Sequence, residues 1–190
     1  MTIRNLCLVL ALLVTVPTFA DTIAIIGTGN VGMALGTEFA QQGHTIVYGS
    51  RSPLGLKALD LAKKTQGNAS TASPMEAAAG AEIVVLAVPG MMVKEVVEIL
   101  GDLSGKLIID VTNPLVMTEP MVFTYGVASS NGEIVQAAAP DALVVKAFNT
   151  IGWQSMINPQ NSPGPLYVPI VGNNKAAKEK VAAMVKAMGL

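Results

Sequence analysis

The chain has 190 residues, of which 51% are apolar and 13% are charged, a composition typical of a compact globular protein. Its formal net charge of -1 gives no general attraction to polyanions, so nucleic acid is not an expected partner and any phosphate must be held by a local site. Cys7 and His44 are the only cysteine and histidine, which excludes metal clusters built from these residue types. We interpret His44 as a solvated strand-edge residue rather than a catalyst.

Residues 1–20 have the layout of a secretory signal peptide. Arg4 supplies a positive charge, residues 6–16 form an apolar run that only Thr15 interrupts, and the small residues Thr18 and Ala20 stand where a signal peptidase reads. A membrane-spanning helix needs about 20 apolar residues, so a stable membrane span is not expected. The alternatives are a hydrophobic first strand or a start codon placed too far upstream. We expect the mature domain to comprise residues 21–190.

From Asp21 onward, short apolar runs alternate with longer amphipathic stretches, which predicts a mostly parallel sheet with crossover helices. The runs are continuous rather than alternating, as in strands that are covered on both faces. Pro169 has no N–H group, so the last run is expected to be an edge strand. The predicted strands cover residues 22–26, 46–48, 83–88, 107–111, 143–148 and 166–171.

Two later segments have apolar residues at the spacing of one helix face. The apolar positions are 93, 96, 97 and 100 in the first segment and 181, 184, 185 and 188 in the second. Gly189 is expected to end the second helix. We interpret the methionines after Met1 as core packing rather than metal ligands, and residues 158–165, rich in proline, as a surface loop.

The first predicted strand runs directly into a Gly-x-Gly-x-x-Gly sequence, followed by a predicted helix over residues 31–40. In such turns Gly27 would permit the tight bend, Gly29 would let a pyrophosphate approach, and Gly32 would let helix and strand pack closely. The helix N-terminus would offer N–H groups to the phosphates. We therefore predict a single Rossmann-type α/β domain with a doubly wound sheet, although a turn without a nucleotide is the alternative. The predicted turn site is Gly27, Thr28, Gly29, Asn30, Val31 and Gly32.

The end of the second predicted strand indicates NADP(H) rather than NAD(H) as the cofactor. NAD-specific domains place an acid about 20 residues beyond the glycines, where it accepts a hydrogen bond from the ribose 2′-hydroxyl. This chain has Ser50 and Arg51 there and no acid, and both can donate hydrogen bonds to a 2′-phosphate. Thr28 and Lys57 are further candidates for this pocket. The alternative for Arg51 and Lys57 is an ordinary solvated surface charge.

Five motifs in order, IAIIGTGNVG, VYGSRSP, VVLAVPG, DVTNPL and VVKAFNTIG, resemble the NADPH-dependent coenzyme F420 reductases and their bacterial relatives. They are also similar to the reductase domain of membrane ferric metalloreductases. The resemblance extends from Thr22 to about Leu190. It implies that the turn of Ala87, Val88 and Pro89 lies beside the nicotinamide. It also implies that the acceptor side of the crevice is shaped by segments that include Asn113, Ala147 and Asn149.

The resemblance further implies a flavin or deazaflavin, such as F420, as co-substrate, and a homodimer. The family continues with a short segment that helps to complete the acceptor pocket, and we expect this chain to lack it. From the residues alone, the same segments follow predicted strands and fall at the edge where open parallel sheets bind ligands. Pro89 as a strand terminator and Asn113 as part of a simple turn are the alternatives.

Hydride transfer between a nicotinamide and a flavin-like ring needs proximity but no strong protein acid or base. No catalytic residue is therefore assigned, and Pro89, Asn113 and Asn149 are expected to line the site. Asp110 is expected to order the turn at Thr112 and Asn113, and Lys146 to pair with a carboxylate or face solvent.

Two functional hypotheses follow, with a small-molecule redox acceptor as the partner in the first. The chain is either an NADPH-dependent oxidoreductase or an NADP(H)-binding module or sensor without its own activity. A reductase of the pyrroline-carboxylate or hydroxy-acid type would need a large C-terminal helical domain, which is not expected here. The signal peptide predicts export to the periplasm, whereas NADPH is used mainly in the cytoplasm. The leader also has no twin-arginine pair, which would indicate export of a folded protein with its cofactor bound. We expect export if the leader is a true signal peptide, which its complete pattern favours, and a cytoplasmic location otherwise.

Overall fold

The computed structural model describes residues 20–65 and 67–190. The predicted signal peptide lies outside the described residues except for its last position. The strands are β1 Thr22–Ile26, β2 Thr45–Gly49, β3 Ala69–Ala72, β4 Ile83–Leu86, β5 Leu107–Asp110, β6 Leu115–Glu119, β7 Val122–Tyr125, β8 Leu143–Lys146 and β9 Val171–Gly172. The helices are α1 Asn30–Gln41, α2 Leu56–Lys64, α3 Pro74–Ala79, α4 Val93–Glu98, α5 Asn131–Ala138, α6 Trp153–Ile157 and α7 Lys175–Ala187.

Seven strands form one sheet in the order β3-β2-β1-β4-β5-β8-β9. All neighbouring strands are parallel except β9, which runs antiparallel to β8. The strand order reverses between β1 and β4, and ligands of doubly wound sheets bind in the crevice outside the carboxyl ends of the strands at such a point. The predicted doubly wound, mostly parallel sheet is therefore confirmed.

Helices cover both faces of this sheet and form two separate cores. Ile23 and Ile25 of β1 belong to one buried cluster with residues of α1, α6 and α7. Ala24 and Ile26 belong to the other, with residues of α3, α4 and α5. Alternate residues of the same strand thus face opposite helical layers, as the continuous apolar runs predicted.

The last predicted strand, residues 166–171, is wrong in its bounds. Residues 165–170 have no regular structure, and β9 comprises only Val171 and Gly172. Pro165 and Pro169 lack the N–H group that a strand ladder uses, which explains why the strand does not extend further back. Its position at the edge of the sheet was predicted correctly.

The hairpin of β6 and β7 was not predicted. It forms its own two-stranded antiparallel sheet, and most of its residues are exposed, so it lacks the continuous burial of β1, β4 and β5. Pro120 and Met121 form the turn, where Met121 has a positive φ of 65°. Five methionines, namely Met75, Met91, Met92, Met117 and Met121, are at least 43% exposed, so core packing describes only part of the methionine set.

A buried tyrosine fixes the contact between α1 and β2. The Tyr48 side chain is fully buried, and its hydroxyl forms a hydrogen bond with Thr65 Oγ1 at 2.8 Å. A side chain at Gly36 would collide with the Tyr48 ring and hydroxyl. Glycine in this helix therefore reflects close packing against Tyr48, which outweighs the modest helix-propensity advantage of alanine.

In the part of the chain that the structure describes, no helix combines the length and apolarity needed to cross a membrane. Among the same residues, no three His, Cys, Asp or Glu side chains are grouped as metal ligands would be.

His44 is more buried than a solvated edge residue, so that interpretation is wrong. Its side chain is 13% exposed, and its ring packs edge-on against Phe39 with centroids 6.4 Å apart. Burial lowers the pKa of His44 below its ordinary value of 6.5, and the Asp21 carboxylate opposes this shift. Nδ1 also accepts a hydrogen bond from the Asp21 N–H at 3.2 Å, which the neutral ring can do and the imidazolium cannot.

We expect the His44 contribution to stability to be lost in mild acid. The unfolded chain takes up the histidine proton near pH 6.5, whereas the native ring resists protonation, so the contribution is present above 6.5 and declines as pH falls below that value. Urea unfolding between about pH 7 and pH 5 should therefore show a steeper loss of stability for the wild type than for His44→Gln. Gln retains an acceptor but does not titrate. Equal pH slopes for the two proteins would contradict the prediction.

Candidate functional site

The turn between β1 and α1 is held by backbone contacts that only glycine permits. Gly27 has a φ of 119°, and a Cβ there would collide with the carbonyl oxygen of Ala87 after β4. A Cβ on Gly32 would collide with the carbonyl oxygen of Gly27. The predicted roles of Gly27 in the tight bend and of Gly32 in helix–strand packing are visible in this geometry.

The middle glycine of the motif faces open space. Apart from Gly29 and its neighbours along the chain, no heavy atom of the described residues lies within 4 Å of the position that a Cβ on Gly29 would occupy. Gly29 is also the N-cap of α1, where no side chain accepts from the first N–H groups and the first turn contains no acidic residue. These N–H groups retain their capacity to bind an anion, which is what a pyrophosphate site requires.

The end of β2 lies directly beside this turn. The Gly27 N–H donates to the Gly49 carbonyl at 3.1 Å, and Ser50 follows Gly49 in the chain. Arg51 is exposed and takes part in none of the ion pairs within the described residues. Lys57 is exposed in the first turn of α2. The chain therefore places a serine and a cation next to the candidate pyrophosphate turn, with no carboxylate following β2.

The turn after β4 joins the glycine turn to the turn after β5. The Ala87 N–H donates to the Ile26 carbonyl at 2.9 Å, and Val88 Cγ1 lies 3.5 Å from the position of a Cβ on Gly27. On the other side, a Cβ on Gly90 would collide with the Asn113 carbonyl oxygen. The predicted residues of three separate strand ends thus lie along one continuous edge.

Asn113 and Asn149 link the turns that follow β5 and β8. Asn113 Nδ2 donates to the Asn149 carbonyl at 2.8 Å, and Asn149 Nδ2 donates to Asn113 Oδ1 at 3.2 Å. Phe148, directly before Asn149, has a positive φ of 64° although its ring is fully buried. A left-handed backbone costs a bulky residue roughly 1–3 kcal/mol, so its presence at this strand end marks a constrained position.

A buried carboxylate organises the same edge from below. Asp110 is fully buried, and its Oδ1 accepts from the Thr112 N–H at 2.9 Å and from the Thr112 hydroxyl at 2.7 Å. Lys146 Nζ lies 2.8 Å from Asp110 Oδ2 and donates to the Thr112 carbonyl at 2.7 Å. Both expectations for these residues are confirmed, since Asp110 orders the turn and Lys146 pairs with a carboxylate.

Asn131 is part of this network and was missed in the sequence. Its side chain is fully buried, and Nδ2 donates to the Thr112 hydroxyl at 2.6 Å and to the Gly90 carbonyl at 2.9 Å. It therefore connects the turns after β4 and β5 to the start of α5. A usable signal existed, because Ser130 and Glu133 form a capping box that marks the helix start.

The predicted site residues differ in how exposed they are at this edge of the sheet. Gly32 and Ala147 are buried, so they support the turns from beneath, and Val31 packs partly against the core. The predicted residues that are at least partly exposed are Gly27, Thr28, Gly29, Asn30, Ser50, Arg51, Lys57, Ala87, Val88, Pro89, Asn113 and Asn149.

An apolar surface continues from this edge onto the hairpin. The Gly126 N–H donates to the Pro114 carbonyl at 2.8 Å, and a Cβ on Gly126 would meet Met91 Sδ at 2.5 Å. Phe123 is 55% exposed and Tyr125 is 75% exposed. Large apolar side chains therefore lie in the open beside the turns after β4 and β5.

A cavity of about 410 Å³ lies elsewhere, between α5 and the β8–β9 edge, where its lining includes Glu133, Lys146 and Val171. It contains no residue of the glycine turn or of the segment after β2. The uncapped N-terminus of α1 and the exposed Arg51 lie instead at the open strand ends.

Comparison with known proteins identifies relatives that share the sequence and the fold described above. The family model described as NADP oxidoreductase, coenzyme F420-dependent, matches residues 22–114. A solved structure from Arthrobacter sp. FB24, assigned as an F420-dependent NADP reductase, is 31% identical and superimposes with a TM-score of 0.81. That match covers 90% of this chain and 82% of the other.

Two further proteins extend the comparison. The hypothetical protein SMa0349 from Sinorhizobium meliloti is 27% identical with a TM-score of 0.74, over 89% of this chain and 82% of that one. Metalloreductase STEAP3 of Rattus norvegicus is 32% identical over 180 residues, which is 93% of this chain and 34% of the metalloreductase. The chain spans about a third of the length of the curated relatives it matches.

We expect Asp110→Ala to destabilise the protein by about 3 kcal/mol or more, because Lys146 loses its partner and Thr112 loses its acceptor. Asp60→Ala is the matched control, since the Asp60–Lys64 pair is also short at 2.6 Å but is exposed to solvent. The control should cost about 0.5 kcal/mol or less. Chemical denaturation measures both, and equal costs would contradict the structural role of Asp110.

Proposed function

Because the chain belongs to the family of coenzyme F420-dependent NADP oxidoreductases, we propose that it transfers hydride between NADP(H) and a flavin or deazaflavin ring. One observation carries the proposal. The uncapped N-terminus of α1 and the Ser50–Arg51 pair lie at adjacent strand ends, joined by the hydrogen bond from Gly27 to Gly49. A pyrophosphate and a 2′-phosphate need such neighbouring sites.

At the adenosine end, this chain's residues suit NADP(H) better than NAD(H). Ser50 Oγ accepts a hydrogen bond from the Ser52 N–H at 3.1 Å, which leaves the hydroxyl hydrogen available for a phosphate oxygen. The Arg51 guanidinium can donate a charge-assisted, bidentate hydrogen bond to the same group. Lys57 would add a positive charge from α2. These three residues would hold the 2′-phosphate, and the first turn of α1 would hold the pyrophosphate.

At the nicotinamide end, the turns after β4, β5 and β8 would position the reacting ring. When bound, the nicotinamide supplies the hydride, and the protein's part is to orient it and exclude water. Pro89 directly precedes Gly90 and Asn113 directly follows Thr112, and the Asp110 network holds both Gly90 and Thr112. Asn149 is hydrogen-bonded to Asn113. Lys146 and Asp110 are paired with each other, so neither is available as a free acid or base, in keeping with a reaction that needs none.

The acceptor would lie against the exposed apolar surface beside these turns. Met91 and Met92 follow Gly90 directly, and Phe123 and Tyr125 extend the same surface onto the hairpin. Aromatic and methionine side chains suit a flat, polarizable ring, because they stack without demanding particular hydrogen bonds. This chemistry favours a flavin-like ring over a small polar substrate.

A second candidate function is supported by the openness of the same surface. The strands β6 and β7 are exposed on nearly all positions, so the described residues do not enclose an acceptor. An NADP(H)-binding module without its own catalytic activity would have this arrangement. It differs from the first candidate in turnover and not in nucleotide binding.

We expect the purified protein to bind NADPH at least about tenfold more tightly than NADH, and Arg51→Ala to narrow that preference by about 1.5–3 kcal/mol, the scale of a hydrogen bond to a charged group. Fluorescence titration with each nucleotide measures both effects. Lys63→Ala is the matched control, because it removes an exposed positive charge from the end of α2. An unchanged preference in Arg51→Ala would place the phosphate pocket elsewhere.

An NADPH oxidation assay across F420, FMN, FAD, a quinone and a ferric chelate tests the reaction itself. We expect turnover with a flavin or deazaflavin, because hydride transfer needs a two-electron acceptor that stacks on the nicotinamide. Tight NADPH binding with no turnover on any acceptor would favour the binding module. Turnover with the ferric chelate alone would contradict the proposed acceptor class.

A further inference from the structure

The segment after β2, residues 50–55, has three exposed and three partly buried residues, and two hydrogen bonds with β3 hold it in place. The Ser50 N–H donates to the Ala72 carbonyl at 2.9 Å, and the Thr71 hydroxyl donates to the Pro53 carbonyl at 2.8 Å. Within the segment, the Gly55 N–H donates to the Ser52 carbonyl at 3.0 Å. The backbone is therefore anchored on both sides of Arg51.

Of these anchors, the Thr71 hydroxyl is the one made by a side chain outside the segment. Thr71 is partly buried at the carboxyl end of the edge strand β3 and pairs in register with Tyr48. Ala72 also anchors the segment, but through its backbone, which almost any residue provides. The identity of the residue at position 71 therefore decides whether the second anchor exists.

We propose that Thr71 is a positioning residue for cofactor choice: it holds the Pro53 side of the segment so that Ser50 and Arg51 face the 2′-phosphate of NADP(H). This inference rests on the proposed function. Without the anchor, residues 51–55 sample more conformations, and binding the phosphate must first restore one of them. Loss of the anchor should therefore weaken the binding of ligands that carry a 2′-phosphate.

Other parts of the nucleotide should be unaffected. The glycine turn is fixed by Gly27 against Ala87 and by the hydrogen bond from Gly27 to Gly49, and neither contact involves Thr71. A loss that is confined to the 2′-phosphate therefore separates a positioning role from a general weakening of the fold.

The experiment compares two fragments of the cofactor by isothermal titration calorimetry: adenosine 2′,5′-bisphosphate, which carries the 2′-phosphate, and AMP, which does not. We expect Thr71→Val to weaken the bisphosphate by about fivefold, the equivalent of one neutral hydrogen bond, and to change AMP by less than about twofold. Thr71→Ser retains a hydroxyl and should restore most of the bisphosphate affinity. Ser70→Ala, an exposed neighbour on the same strand, is the matched control.

Each outcome decides between the two claims. If the wild type binds both fragments equally, the proposed NADP(H) preference fails. If the wild type prefers the bisphosphate and Thr71→Val binds it as tightly, or loses both fragments to the same extent, the positioning role is overturned. Should Thr71→Val fail to fold, as judged by circular dichroism, Thr71→Ala provides the same comparison without a branched side chain.

Discussion

The close approach of three backbone segments at the first turn is the constraint on which the rest of the site depends. Gly32 packs on the carbonyl of Gly27, and Gly27 packs on the carbonyl of Ala87, in each case with no space for a Cβ. These contacts bring the start of α1 and the turn after β4 to one point, where the strand order reverses. An anion on the helix N-terminus and a ring beside the turn after β4 could then belong to the same ligand.

The turns after β4 and β5 are held by a buried charge, whereas the first turn is held by close contacts of glycines. Both carboxylate oxygens of Asp110 accept hydrogen bonds, one from Thr112 and the other from Lys146. Asn131 extends this network to the Gly90 carbonyl. A buried carboxylate with a partner missing is costly, so the network favours one arrangement of the turns after β4 and β5. Preorganised turns lower the entropy that a ligand must overcome on binding, which suits a reaction that proceeds by proximity.

The sequence predicted the elements that carry a local signal. It failed for strands with exposed residues and for side chains whose contacts lie far away in the chain. Continuous apolar runs located β1, β4, β5 and β8, because strands buried on both faces must be apolar throughout. The strand Ala69–Ala72 was missed since its small, partly exposed residues carry no such signal, and the exposed hairpin was missed for the same reason. The contacts of His44 with Asp21 and of Thr71 with Pro53 span 23 and 18 positions, which no local pattern reveals. For Asn131, the capping box marks the start of α5 but not the contact with Gly90, which lies 41 positions away.

The edge proposed to hold the nicotinamide and the neighbouring hairpin of β6 and β7 differ in how firmly they are held. This difference bears on what each can recognise. Phe148 has a left-handed backbone, and its buried ring packs edge-on against Phe39 with centroids 6.2 Å apart. The next residue, Asn149, is hydrogen-bonded to Asn113, so the constrained backbone lies beside the place where the nicotinamide would bind. The hairpin beyond has exposed strands and no comparable anchor in the described residues. A rigid edge beside an open apolar surface would hold the nicotinamide in one orientation while tolerating several planar acceptors, because stacking discriminates less than hydrogen bonding.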